Sequence, residues 1–307
     1  MARERFNGVL APVITPFREG LRPDSDRFTR HCHWVMSKGV NLALFGTNSE
    51  ANSLSVSEKI ELLEHLISSG ISGASLMPGT GCCALSDTVE LTKVAIKLEC
   101  RGVLMLPPFF YKGISDDGIF AFYAEVIERV ASENLAIYLY HIPPISQIPL
   151  STTLIERLAH RYPKNIAGIK DSSGSWEQTA EFNNLGIPDF RVFCGSESFL
   201  LRNMRAGGAG CISATANVNP AAINDLYANW ESIHGDQKQE KLNQIRLIFQ
   251  SYPMIPALKA ATGIYSNDKG WNAVRPPLTP LTSELISRLK ADLKSANFEM
   301  SGLNSSQ

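Results

Sequence analysis

The sequence predicts a (β/α)8 barrel, an α/β fold, followed by a small C-terminal helical domain. Eight short apolar runs rich in Val, Ile, Leu and Ala recur at nearly even intervals over about 220 residues. Most of these runs lack the polar alternation of a half-exposed antiparallel strand, so we expect strands that are buried on both faces of a parallel sheet. Eight strands that alternate with helices over this length match the size of such a barrel.

The predicted strands are Val9–Ile14, Leu42–Phe45, Ala74–Met77, Gly102–Leu106, Ala136–Tyr140, Ile166–Lys170, Val192–Cys194 and Gly210–Ala214. A doubly wound open sheet is the main alternative to a barrel. That fold usually carries a Gly-rich phosphate loop after an early strand, and neither G-x-G-x-x-G nor G-x-x-x-x-G-K-[ST] occurs here. The pattern therefore favours the barrel.

Helical segments with start signals lie between the predicted strands. Ser55 and Glu58 have the spacing of a capping box ahead of a helix over Lys59–Ile67, and Thr153 and Glu156 repeat that spacing. The other predicted helices of the barrel are Asp87–Ile96, Gly118–Ala131, Thr153–Arg161, Ser175–Asn184 and Ser198–Ala206.

From about Pro220 the pattern becomes helical throughout. The segments concerned are Ala221–Ile233, Gln237–Ser251, Ile255–Thr262 and Thr282–Leu293. We therefore expect a barrel that carries the active site over residues 1–220 and a helical domain over residues 221–307.

Composition and charge exclude several classes of protein. The formal net charge is −1 and there is no basic block, so we expect no nucleic-acid partner. No apolar stretch reaches the ~18 residues that a membrane helix needs, and the N-terminus lacks a signal-peptide pattern. Six scattered cysteines include no C-x-x-C pair, which is typical of reduced core and loop thiols. We therefore expect a cytoplasmic protein without a metal site.

The carboxyl ends of the predicted strands carry the residues that could do chemistry, because active sites of barrels lie there. Those ends provide one lysine, two phenols, several hydroxyls and few carboxylates. The set comprises Thr47, Asn48, Thr80, Tyr111, Tyr140, Lys170, Glu197 and Ile212. No aspartate cluster that would hold a divalent metal occurs among them, so the inventory favours amine catalysis.

Lys170 follows directly on a buried apolar run, so it is either a surface residue just past the core or a reactive amine. A neutral lysine amine attacks a ketone to form a Schiff base, whose cationic nitrogen then acts as an electron sink. Tyr140, one strand away, would shuttle protons, or would only pack its ring in the core. Thr47 could relay that proton, and its backbone N–H with the amide of Asn48 could bind a carboxylate.

These residues resemble the dihydrodipicolinate synthase/N-acetylneuraminate lyase family of class I aldolases. The motifs are Gly46-Thr47-Asn48-Ser49-Glu50, Tyr140-His141-Ile142-Pro143, Gly168-Ile169-Lys170-Asp171 and Gly207–Val218, within a match from about Phe6 to Leu293. The resemblance implies a (β/α)8 barrel with a C-terminal helical domain, assembled as a homotetramer or a dimer.

The resemblance also implies roles for individual residues. Lys170 would form a Schiff base with pyruvate or a related 2-oxo acid, without a separate cofactor. Tyr140 would be the general acid/base, Thr47 and Asn48 would bind the substrate carboxylate, and Ile212 would contact the substrate. The family's tyrosine from the strand-four loop, often donated to a neighbouring subunit, maps onto Tyr111 with a one-residue offset, while Phe110 occupies the other candidate position.

Departures from the family pattern bear on the substrate more than on the mechanism. Asn48 and Ser49 stand where the family has Thr and Gly, and His141 stands where it has Asn. Dihydrodipicolinate synthases carry an Arg that binds the second substrate's carboxylate, and Ile145 occupies that place. An aliphatic side chain cannot replace a bidentate carboxylate clamp. Glu197 falls where sugar-acid aldolases place hydroxyl-binding residues.

The sequence therefore predicts a lyase or aldolase that makes or breaks a C–C bond next to pyruvate, with a 2-keto-3-deoxy sugar acid or a similar compound as substrate. Three alternatives stay open at this point. They are dihydrodipicolinate synthase, which condenses pyruvate with aspartate semialdehyde, a sugar-acid dehydratase of the same family, and a non-catalytic 2-oxo acid binding protein.

Overall fold

A computed structural model of the protein describes residues 4–303 and has the predicted parallel α/β architecture. Its strands are β1 Gly8–Ala11, β2 Asn41–Leu42, β3 Val103–Met105, β4 Ile137–His141, β5 Ile166–Asp171, β6 Arg191–Cys194 and β7 Gly210–Ile212. Its α-helices are α1 Ser25–Met36, α2 Val56–Ser68, α3 Leu85–Lys97, α4 Asp116–Val130, α5 Pro143–Ser146, α6 Thr152–Arg161, α7 Trp176–Asn183, α8 Leu200–Arg205, α9 Pro220–Ala228, α10 Gly235–Gln250, α11 Met254–Ser266 and α12 Ser283–Ser295. Among the residues described, no helix combines the length and apolar character needed to cross a membrane.

The described chain divides into two compact units, each made of two segments. The first unit contains residues 4–8 and 72–212, and the second contains residues 9–71 and 213–303. In the first unit, β3 to β7 pair in sequence order, and every pairing is parallel. Helices separate consecutive strands of this unit, which is the alternation that the sequence predicts. The predicted boundary near residue 220 stays a prediction.

The first strand, β1, has its first residue in the first unit and its remaining residues in the second. Gly8 N–H donates to the carbonyl oxygen of Ala209 at 2.8 Å within the first unit. In the second unit, Leu10 pairs with Asn41 and Ala11 pairs with Leu42, again in parallel. The hydrogen-bonded strand order is therefore β2-β1-β7-β6-β5-β4-β3.

The prediction of eight strands is wrong at one place, because residues 4–303 contain seven. The predicted strand Ala74–Met77 instead begins with a 3₁₀ turn over Gly73–Ser75, and the hydroxyl of Ser72 accepts from Ala74 N–H at 3.3 Å. A single bridge joins Gly79 to Leu104 further along. The apolar side chains at the end of this segment are buried, as expected. Pro78 has no N–H to donate to a strand ladder, so regular pairing does not extend from the bridge at Gly79 into this segment.

The helix start signals are confirmed at α2 and corrected at α6. Ser55 accepts from Glu58 N–H at 3.2 Å, and Glu58 accepts from Ser55 N–H at 2.9 Å, which is the predicted capping box. For α6, the residue that caps the helix is Ser151 and not Thr153, because Ser151 accepts from Leu154 N–H at 3.0 Å. The first predicted helix of the C-terminal region ends at Ala228 rather than at Ile233.

A buried histidine lies in the core of the second unit. Asn217 donates its amide N–H groups to Pro12 and Ala214 carbonyls at 3.0 and 2.9 Å, so its Oδ1 faces His31. His31 Nε2 lies 3.4 Å from that oxygen and must therefore carry the proton. The rings of Trp34 and Trp271 pack on the imidazole. Burial lowers the pKa of His31 to about 4, although the bond to Asn217 opposes the shift.

His31 should make the protein sensitive to acid. The pKa of His31 is about 4 when folded, against 6.5 for the free side chain, so the unfolded chain binds the proton first. The contribution of His31 to the free energy of unfolding is therefore fully present above pH 6.5. It decreases as the pH falls, by roughly 3 kcal/mol when the pH approaches the folded pKa. Urea unfolding of the wild type and of His31→Gln from pH 7.5 to 4.5 measures this. Parallel pH profiles for the two proteins would contradict the prediction.

Candidate active site

Lys170 and Tyr140 form a buried pair at the carboxyl ends of two neighbouring strands. The parallel register of β4 and β5 makes Tyr140 and Lys170 direct partners, so both side chains project from the same face. Lys170 is 2% exposed and Tyr140 is 3% exposed. The Lys170 Nζ lies 4.3 Å from the centroid of the Tyr140 ring. The structure therefore brings the two main predicted residues together.

An aromatic layer lies under this pair. Phe193 on β6 is the register partner of Lys170, and its ring packs edge-on against Tyr138 at 5.8 Å between centroids. Gly168, two residues before Lys170, permits this close packing of strands. A Cβ atom at Gly168 would lie 2.1 Å from the carbonyl oxygen of Arg191 on β6. The glycine therefore sets how closely the lysine strand approaches its neighbour.

A second buried pair, His141 and Asp171, follows the first by one residue on each strand. Asp171 accepts hydrogen bonds from Ser173 N–H at 2.9 Å and from the hydroxyl of Thr179 at 2.6 Å. His141 Nδ1 accepts from Leu150 N–H at 3.1 Å, so the imidazole proton is on Nε2, 3.9 Å from Asp171 Oδ1. Burial lowers the pKa of His141, and the charge of Asp171 opposes this. These contacts fix both strand ends.

Glu197 and Ile212 also lie at strand ends of the first unit. Glu197 begins the 3₁₀ turn after β6 and is buried, and Ile212 is the buried last residue of β7. Cys211, the residue before Ile212, is hydrogen-bonded to Cys194. This hydrogen bond and the burial of the thiol both raise the pKa of Cys211. The charge of Glu197 raises the pKa of this thiol further and that of Lys170 lowers it.

Tyr111 differs from these residues because it is exposed. Tyr111 and Phe110 follow β3, are each 72% exposed and pack edge-on against each other at 5.3 Å between centroids. The next residue, Lys112, donates to the carbonyl oxygen of Ser146 at 2.7 Å, which ties this loop to α5. Within one chain, Tyr111 is therefore not part of the buried pair formed by Lys170 and Tyr140.

Thr47 and Asn48 lie half-buried in a 3₁₀ turn of the second unit. Ser49, which departs from the family pattern, closes this turn: its hydroxyl accepts from Gly46 N–H at 3.1 Å. The Ser49 carbonyl accepts from the hydroxyl of Thr15 at 2.7 Å. The departure from glycine therefore adds a hydrogen bond within the turn that holds Thr47 and Asn48.

Sequence reasoning missed the partner of Glu50, the last residue of the motif. The Glu50 carboxylate forms an ion pair with Lys259 of α11, and both side chains are fully buried. From the sequence, Glu50 is either a helix-terminal carboxylate or a site residue, and Lys259 attracts no attention. The available signal is a lysine inside the apolar stretch MIPALKAATGIYS, where an ammonium requires a buried partner.

Comparisons with known proteins identify the family of the chain. The profile of the dihydrodipicolinate synthetase family matches residues 5–296, so the chain belongs to this family. An uncharacterized DapA-like lyase of Chloroflexus aurantiacus is 31% identical over 92% of this chain and 95% of its own. The 4-hydroxy-tetrahydrodipicolinate synthase of Thermus thermophilus is 30% identical over 93% of this chain and 94% of its own.

A solved structure supports the same assignment. The crystal structure of dihydrodipicolinate synthase from Agrobacterium tumefaciens superposes with a TM-score of 0.86 at 27% identity, covering 94% of this chain and 99% of that one. The chain is thus a lyase of this family, of the kind that makes or breaks a carbon–carbon bond next to pyruvate.

Proposed function

We propose that Lys170 forms a Schiff base with pyruvate or a related 2-oxo acid. The observation that carries the proposal is the burial of Lys170 at the end of β5 with its amine over the ring of Tyr140. The amine nitrogen attacks the ketone carbon and gives a carbinolamine, which loses water to become an iminium ion. The protein needs no separate cofactor, because the iminium nitrogen itself accepts the electron pair of the bond that breaks.

Tyr140 is the group that moves protons in this scheme. Its phenol donates a proton to the carbinolamine oxygen as water leaves. In the cleavage direction, the hydroxyl on the carbon beyond the breaking bond loses its proton, an aldehyde departs, and the electron pair forms an enamine. Protonation of the enamine carbon and hydrolysis then release pyruvate and regenerate the lysine. Thr47 is the proton relay that we assign to this scheme.

Thr47 and Asn48 bind the carboxylate of the 2-oxo acid. The backbone N–H of Thr47 and the side-chain amide of Asn48 are both hydrogen-bond donors, which a carboxylate accepts. The half-buried position of both residues supports this role, because a partly desolvated carboxylate gains more from each hydrogen bond. Ile212 also contacts the substrate.

The second part of the substrate is a polyhydroxylated chain, as in a 2-keto-3-deoxy sugar acid. Glu197 is a buried carboxylate directly after β6, and a carboxylate accepts hydrogen bonds from sugar hydroxyls. Ile145 on α5 is 61% exposed and offers no charge for a second carboxylate. Both features favour a neutral polar partner over aspartate semialdehyde.

The wider architecture follows the family. We propose a (β/α)8 barrel in which the segment bridged at Gly79 takes the third place, with helices α9–α12 as a C-terminal domain. The active enzyme is a cytoplasmic homo-oligomer, a tetramer or a dimer, and the exposed Tyr111 reaches a neighbouring subunit. Lys170, Tyr140 and Thr47 carry the chemistry in each subunit.

Borohydride trapping tests the Schiff base. Incubation with pyruvate and borohydride should add the mass of the reduced adduct to Lys170, because reduction converts the iminium to a stable amine. Lys170→Met should abolish the adduct, whereas Lys164→Met, at an exposed lysine, should leave it intact. Peptide mass spectrometry locates the modification. An unmodified Lys170, or an adduct on another lysine, would refute the proposal.

Replacing the phenol separates binding from proton transfer. Tyr140→Phe should lower kcat by a factor of about 10²–10⁴, the usual contribution of a general acid, while prolonged trapping still modifies Lys170. Tyr123→Phe also removes one buried hydroxyl, which donates to the Met105 carbonyl at 3.0 Å, and serves as the control. Wild-type turnover in Tyr140→Phe would exclude this role of the phenol.

A substrate panel distinguishes the proposed reaction from its alternatives. Pyruvate release from 2-keto-3-deoxy sugar acids is the expected result. Condensation of pyruvate with aspartate semialdehyde at a higher kcat/KM would make the protein a synthase like its Thermus relative. Loss of water without pyruvate release would indicate a dehydratase. Pyruvate binding without exchange of its methyl protons in heavy water would indicate a binding protein that lacks turnover.

A further inference from the structure

The buried ion pair of Glu50 and Lys259 lies directly after the turn that carries Thr47 and Asn48. Both side chains have no exposed surface. Lys259 Nζ also donates to the carbonyl oxygen of Ala273 at 2.7 Å and lies 4.4 Å from the centroid of the Phe17 ring. All of these residues belong to the second unit. The pair therefore has partners on several segments of one compact body.

Both oxygens of the Glu50 carboxylate are occupied. Oε1 pairs with Lys259, and Oε2 accepts from the backbone N–H of Arg275 at 2.9 Å. The Arg275 guanidinium in turn donates to the Ser53 carbonyl at 2.5 Å and pairs with Glu58. The segment from Lys259 to Arg275 thus holds both the side chain of Glu50 and the backbone that follows it.

Glu50 also ends the turn by an unusual backbone conformation. Its φ of 56° and ψ of 35° are left-handed, a region that favours glycine and is unfavourable for glutamate. In this conformation Glu50 N–H donates to the carbonyl oxygen of Thr47 at 3.1 Å. The contacts of the carboxylate hold the residue in this conformation, and the conformation closes the turn. A chain of contacts therefore runs from Lys259 through Glu50 to Thr47.

Stability alone does not account for an ion pair at this place. Removing two charges from water is costly, and an apolar pair of similar volume is often as stable as a buried ion pair. Burial lowers the pKa of Lys259 to about 8, against the opposing charge and hydrogen bond of Glu50, and Arg275 adds to the lowering. Unlike an apolar contact, this directional and charged contact defines the position of the Glu50 carboxylate.

We propose that Glu50 and Lys259 are positioning residues that hold the Gly46–Ser49 turn in the geometry that binds the carboxylate of the 2-oxo acid. This inference rests on the proposed function, in which Thr47 and Asn48 are the donors to that carboxylate. Neither Glu50 nor Lys259 touches the substrate. Their effect is on the affinity for the 2-oxo acid, through the turn.

The double variant Glu50→Gln/Lys259→Met tests this, because it removes both charges and leaves no unpaired ion in the core. The pyruvate concentration that half-saturates borohydride trapping should rise about tenfold, as expected for a slightly misplaced binding group. The final yield of adduct per chain should stay the same, since Lys170 is unchanged. Hydrogen exchange at the amides of residues 46–50 should become faster. Urea unfolding measures how much stability the same variant loses.

A second ion pair of the same unit provides the control. Arg27 Nε pairs with Asp268 at 2.7 Å; the Arg27 guanidinium also pairs with Asp24, and the Asp268 carboxylate also accepts from Gly270 N–H. Arg27→Met/Asp268→Asn should leave the half-saturating pyruvate concentration and the exchange at residues 46–50 unchanged. An unchanged half-saturation in the folded Glu50/Lys259 variant, or an equal rise in the control, would overturn the inference.

The pH profile gives a readout that a merely structural role would not move. In the wild type, the affinity for pyruvate should fall as pH rises through about 8, because Lys259 then loses its proton beside Glu50. In the double variant, the affinity for pyruvate should lack this fall near pH 8, because Lys259 is absent. If the wild type forms no adduct at any pH, the proposed Schiff base fails. In that case hydrogen exchange at residues 46–50 alone decides whether the pair holds the turn.

Discussion

The parallel register of β4 and β5 puts Tyr140 beside Lys170 and, one residue later, His141 beside Asp171. Because successive residues of a strand face opposite ways, the first pair and the second lie on opposite faces of the sheet. The second pair fixes the strand ends from the opposite face of the sheet. Its hydrogen bonds join His141 to Leu150, and Asp171 to Ser173 and Thr179. A shift of one residue between the two strands would give Tyr140 a different partner, Asp171 or Ile169, and would separate the amine from the phenol.

Two buried lysines in this protein have contrasting surroundings. Lys259 has a carboxylate and a carbonyl oxygen as partners, which is the arrangement that keeps a buried ammonium charged. The amine of Lys170 instead lies over the face of the Tyr140 ring, 4.3 Å from its centroid. The first environment suits a structural cation, and the second suits the nucleophilic role that we propose for Lys170.

The order of apolar runs and the polar residues that follow them were enough to predict a parallel α/β fold and the position of Lys170 and Tyr140 at the ends of neighbouring strands. Their roles in catalysis stay predictions. Such local patterns do not report hydrogen-bond geometry, so the segment from Ala74 to Met77 was wrongly predicted as a strand. They also do not report contacts between distant residues. Glu50 and Lys259 are 209 positions apart, and nothing in either neighbourhood specifies the other. The role of Ser49 is visible only once its hydroxyl is seen closing the turn.

The division of the second unit between both ends of the chain has a consequence for biosynthesis. The turn with Thr47 and Asn48 is translated early, whereas Lys259 and Arg275, which hold Glu50, are translated more than two hundred residues later. During synthesis, Glu50 therefore lacks Lys259 and Arg275 as partners until nearly the whole protein has left the ribosome. If the turn binds the 2-oxo acid as proposed, a nascent or prematurely terminated chain lacks the contacts that hold its binding groups in place.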